Sequence, residues 1–136
     1  MDRVELWLDV PQVDHQKLSD DKIISEQSGN IRKRVIKARE IQKKRFATGK
    51  NAKTKGDFET GIMTNSEMGV KELKKYSPIS EAVTRILEIA AVKMSLSPRA
   101  YHRVIKLART IADLGGSEKI EEPHMLEALT FRPKIR

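Results

Sequence analysis

The stretch SLSPRAYHRVIKLARTIADLGG, residues 95–116, decides how the rest of the chain is read. Ser97 is a ready N-cap, Pro98 suits the first helical position, and Gly115-Gly116 supply a stop. Between these signals Tyr101, Val104, Ile105, Ala108, Ile111 and Ala112 recur at helical spacing and make one apolar face. The helix so predicted begins with a cation, Arg99, against the positive end of its own macrodipole. A charge in that position raises the expectation of something anionic nearby.

Outward from this helix the pattern stays helical and well punctuated. A short helix is predicted over Val70–Tyr76, ending near Ser77-Pro78. Another runs about Ser80–Lys93, with Val83, Ile86, Leu87, Ala90 and Met94 inward, and a last one begins near Pro123 and buries Met125, Leu126 and Leu129. Short connections make neighbours antiparallel, so residues 70–136 are expected to form a small helical bundle. The preceding residues 49–69 have no periodicity and are rich in Gly, Thr, Lys and Asn, which predicts a flexible loop.

Residues 14–48 read as a linker followed by a long helix, roughly Asn30 to Thr48. Ile31, Val35, Ala38 and Gln42 share a line flanked by Ile41 and Phe46, while Arg32, Lys33, Arg34, Lys37, Arg39, Lys43, Lys44 and Arg45 coat the rest. So narrow an apolar stripe lets the helix pack on one side only. Residues 1–13 begin MDRVELWLDVP, which alternates: Val4, Leu6, Leu8 and Val10 face one way, Glu5, Trp7 and Asp9 the other. That predicts a half-buried strand closed by Pro11. One strand cannot pair its backbone alone, so it is expected to belong to a sheet of a larger, truncated core. The expected class is therefore all-α: a helical bundle with a basic connecting helix and one isolated N-terminal strand.

The totals narrow the function classes. The 136 residues are one domain's worth, and no apolar run approaches membrane-spanning length. Residues 1–10 carry acids and a tryptophan instead of a basic start and an apolar block, so no secretory signal is expected. The absence of cysteine excludes disulfides and thiolate metal sites and suits a reducing cytoplasm. The net charge of +8 is unevenly placed: Ile31 to Lys55 holds eleven Lys/Arg against Glu40, giving +10, so the remainder sums to −2. Any polyanion partner belongs to that segment, with Arg32, Lys33, Lys37 and Lys44 as candidate nucleic-acid contacts. With only 4% aromatic residues there is no stacking platform, so such binding would be sequence-nonspecific and salt-dependent.

No phosphate-binding loop of the GxxxxGK[ST] kind is present, and no nucleophile triad follows from spacing. His15, His102 and His124 are scattered, without partners at metal-ligand spacing, and read as surface or structural. Two accounts of Arg99 stay open on these residues. One is a solvated arginine, or one paired with Glu81 or Glu88, which periodicity alone favours. The other is a guanidinium that reaches a phosphate beside the free amides of a helix start.

GIMTNSEMGVKELKKYSPIS, followed by LSPRAYHRVIKLARTIADLGGSEKIEEPHMLEAL, resembles the C-terminal region of magnesium-chelatase-like AAA+ ATPases. The branch is that of the ComM-type proteins, implicated in DNA branch migration during natural transformation. The start of the chain looks like that family's LLDRIDLHVEVP, the last core strand, and residues 29–46 fit more loosely as the helix joining core to lid. Pro98 and Ser77 stand where Ala and Cys are usual, and Glu5 where Asp is.

The resemblance implies that Arg99 is the sensor-2 arginine of the lid and Arg3 the arginine finger that completes a neighbouring subunit's site. It makes Arg103 a supporting cofactor contact and Arg109 a packing or surface residue. It further implies ATP with Mg2+ in the full-length parent, an upstream AAA+ core on the same chain, a hexameric ring of subunits and DNA as partner, all cytoplasmic. The Walker motifs would lie upstream, so these residues alone cannot hydrolyse ATP. Two rivals are a stand-alone basic helical DNA-binding module and the lid of a metal-chelatase ATPase subunit.

Overall fold

A computed structural model describes residues 4–12, 25–47 and 61–133. Among them are helices α1 (Ser28–Phe46), α2 (Val70–Tyr76), α3 (Glu81–Lys93), α4 (Pro98–Gly115) and α5 (Glu122–Thr130), with a 3-10 turn at Asn65–Glu67. These residues contain no sheet, and the fold is all-α. The local signals explain the ends of the helices. The Ser80 hydroxyl accepts from the Val83 amide at 3.3 Å and that of Ser97 from the Ala100 amide at 3.2 Å. Gly116 closes α4 at φ 73°, a left-handed conformation that suits a residue without Cβ.

Helix α4 is the hub: it packs on α1, α2, α5 and the 3-10 turn, while α3 packs on α5. Val104, Ile105 and Ala108 from α4 meet Leu73, Val83, Leu87, Met125 and Ala128 in one core. The Phe46 and Tyr76 rings meet edge to face at 5.2 Å and join the end of α1 to the end of α2. Ile79 bridges Ile120 in parallel, tying the α2–α3 link to the α4–α5 link.

The structure departs from several expectations, and it leaves the strand expected of residues 1–13 unconfirmed. Residues 4–12 form no strand, and all of them are exposed. The Trp7 amide donates to the Phe131 carbonyl at 2.9 Å, but no neighbouring strand among the described residues continues the ladder. Alternation marks a segment able to pair; it supplies no partner. In α1 only Ala38, Gln42 and Phe46 are buried, whereas Ile31 and Val35, placed on the apolar line, are exposed because the helix meets the bundle only through its second half. In α5 Leu126 faces solvent and Ala128 takes the buried position beside Met125. Residues 61–69 fold onto the bundle, burying Ile62, Asn65 and Met68. Residues 13–24 and 48–60, and with them His15 and most of the expected loop and linker, lie outside the described residues.

Candidate functional site

The N-terminal end of α4 is built by a tight turn. Ser95 takes a left-handed φ of 47°, uncommon for a residue with Cβ, and lets α3 reverse directly into α4. Ser97 caps the helix and Pro98 occupies its first turn, so Arg99 sits at the second helical position, exposed. Among the described residues no acid lies within ion-pair distance of Arg99. Glu81, one suggested partner, instead pairs with Arg85 at 2.5 Å. The other, Glu88, faces Tyr101; burial first and then this carboxylate push the Tyr101 hydroxyl above its ordinary value. Among the described residues, a cation thus stands without a counter-charge in the first turn of α4, where the helix field opposes it.

One turn further along α4, Arg103 is largely buried and its Nε lies 3.5 Å from Glu5 Oε1. Glu5 belongs to the segment of residues 4–12, and that segment is held at a second point by Arg132, whose guanidinium donates to the Val4 carbonyl at 3.1 Å. The structure therefore brings the segment that begins at residue 4 against the helix that carries Arg99. Arg3 itself lies outside the described residues. The four proposed nucleic-acid contacts, Arg32, Lys33, Lys37 and Lys44, are all exposed on α1, and Arg34 pairs with Glu26 at 2.7 Å.

Sequence reasoning missed a buried ionic cluster at the other end of α4. Asp113, fully buried, receives Arg45 from α1 through both guanidinium nitrogens, one at 2.8 Å, and Arg109 through Nε at 3.1 Å. Asn65 of the 3-10 turn donates to the same carboxylate at 2.8 Å and accepts from Arg45 at 3.0 Å. Arg109 also donates to the carbonyls of Ser117 and Glu118 at 2.6 and 2.8 Å, which fastens the α4–α5 link. Burial pushes the Arg109 guanidinium below its ordinary value, opposed by Asp113 and reinforced by Arg45. Arg45, counted with the solvated coat of α1, is in truth a largely buried ion-pair partner. Arg109 is a packing residue. The one local signal was the i, i+4 spacing of Arg109 and Asp113 beside Ala108 and Ala112 on the core face.

His124 is structural: its Nδ1 accepts from the Glu121 amide at 3.0 Å and caps α5. The described residues bring no group of three His, Asp or Glu side chains together as metal ligands, and none of their helices is long and apolar enough to cross a membrane.

The model of the magnesium chelatase subunit ChlI C-terminal family matches residues 25–132. The competence protein ComM of Haemophilus influenzae is 35% identical over 136 residues, covering 100% of this chain and 24% of that protein. The uncharacterized protein YifB of Salmonella typhimurium is 33% identical over 132 residues, 97% of this chain and 23% of its own length. YifB of Escherichia coli is 30% identical over 132 residues. The chain spans about a quarter of the length of these curated relatives.

Proposed function

Because the chain belongs to the magnesium chelatase subunit ChlI C-terminal family, as a ComM-like member, we propose that it is the nucleotide-sensing lid of a longer AAA+ ATPase. The observation that carries this reading is Arg99: a forked cation, capped into the first turn of α4, exposed and without an acid partner among the described residues. The electrostatic penalty of that placement is relieved by a polyphosphate. The residues present fit such a group as donors only, since the Arg99 guanidinium can meet phosphoryl oxygens but supplies no metal ligand, while Pro98 has no N–H and the Ala100 and Tyr101 amides already donate to Ser97. ATP with Mg2+ brings the phosphoryl group and the metal charge. This chain brings Arg99, which donates hydrogen bonds to phosphoryl oxygens and offsets charge that grows there in the transition state.

Arg103 in this reading holds the start of the chain against α4 through Glu5 and so supports the same end of the bundle. Arg3 serves as the finger toward a neighbouring subunit, residues 1–13 complete the sheet of an upstream core, and the ring is hexameric. The exposed cations Arg32, Lys33, Lys37 and Lys44 favour DNA as the substrate on which the ring acts. Similarity to a competence protein along the whole chain supports the DNA branch of the family over metal insertion. The cytoplasm is the compartment that fits an ATP-driven DNA motor.

The deciding experiment is Arg99→Ala in the intact parent protein. Turnover of ATP should fall by about 10²–10³-fold, the range for removing one donor from a developing charge, with helical content unchanged. Unaltered turnover removes Arg99 from the chemistry and leaves a basic helical module as the better description.

A further inference from the structure

The cluster around Asp113 contains more cation than the bundle needs. Arg109 and Asp113 neutralise each other within α4, four residues apart, and Arg109 finds its remaining acceptors on Ser117 and Glu118. Asn65 is already anchored by donating to Thr110 at 3.1 Å and to Asp113. Arg45 adds a second guanidinium to a carboxylate that has one partner already, and it comes from α1, 68 residues away in sequence. Around it Gln42 accepts from the Asn65 amide at 3.3 Å, and Phe46 closes the contact at Tyr76. Residues 28–37 of α1, by contrast, are all exposed. Ten residues of helix span about 15 Å.

We infer that Arg45 is the pin that makes α1 and the helical bundle a single rigid body, with the first half of α1 projecting from it as a lever. The two ends of α4 then have different tasks. Its first turn presents Arg99, and its last turn, about 21 Å away at helical rise, grips α1 through Asp113. Any rotation of α4 is carried into α1 without a hinge, because the grip is bidentate, buried and braced by Asn65. What drives that rotation depends on the proposed role of Arg99, whereas the rigid body does not, so failure of the Arg99→Ala assay leaves this inference standing.

The chain contains no cysteine, so Lys33→Cys on α1 and Glu127→Cys on α5, both exposed, accept spin labels cleanly. Double electron–electron resonance should give one narrow distance in the otherwise unaltered chain. Arg45→Met should broaden it about twofold or more while the bundle still melts cooperatively. Arg39→Met, an exposed neighbour outside the cluster, should leave it narrow. A broad distribution before substitution, or an unchanged one in Arg45→Met, overturns the proposal. If Arg45→Met does not fold, hydrogen exchange of the unsubstituted chain decides instead. Amides 41–46 should open together with those of Val104–Ala112, and exchange faster than α4 by about 100-fold or more refutes the pin.

Discussion

Asp113→Asn is the most demanding perturbation of this fold. The carboxylate receives donors from three side chains, Arg45, Asn65 and Arg109, and has no exposed surface. Asparagine keeps the volume but offers one acceptor oxygen in place of two, and its amide hydrogens would face guanidinium hydrogens. Two cations remain, one buried and one nearly so, with no counter-charge. Breaking a buried pair from one side costs about 3–5 kcal/mol, a large part of the roughly 5–15 kcal/mol that stabilises a domain. In thermal unfolding followed by circular dichroism this corresponds to a Tm lower by on the order of 10–40 °C. Because the cluster is shielded from solvent, the deficit should persist at about 1 M salt, where exposed pairs are screened. A loss below about 1 kcal/mol, the range of a surface ion pair, would refute the claim that Asp113 organises a buried network.

Three further outcomes follow from the same structure. Leu87→Ala, at a fully buried position between α3 and the core, should lower stability by about 2–5 kcal/mol in urea titration, and a smaller effect would mean that the site collapses around the void. Arg99→Glu should stabilise the chain by about 0.3–1 kcal/mol, since it replaces a cation with an anion at the positive end of α4; a loss of stability would show an unrecognised structural contact. Glu67 accepts from the Met63 and Thr64 amides at 2.8 and 2.9 Å, and these bonds hold its carboxyl below its ordinary value of 4.5. A depressed carboxyl contributes stability above its unfolded value and loses it as pH falls through the lower folded one, so Glu67→Gln should narrow the difference in Tm between about pH 6 and about pH 3, and an unaltered difference would exclude Glu67 from the acid response.

Much of the local chemistry of this chain is legible in its amino-acid order. Ser80, Ser97 and Gly116 act within a few residues of themselves, and helix ends depend on such short-range bonds. The same holds for the core face of α4, because periodicity fixes which residues share a side. The position of Arg99 in a first turn is readable on the same grounds, as is the family to which the whole pattern belongs. The basic helix is legible only in part: its length and charge are local properties, but burial of its apolar line depends on where another element ends.

What the sequence determined by itself was thus the set of helices, their caps and the cation at the head of α4. Tertiary structure alone decided that Arg45 leaves the solvated coat to share Asp113 with Arg109, that Asn65 folds beneath them, and that Val4–Val10 find no strand partner among the described residues. The physical reason is range. Capping and periodicity act over three or four residues, whereas an ion pair between positions 45 and 113 exists only once the chain has folded back on itself and excluded water from the contact.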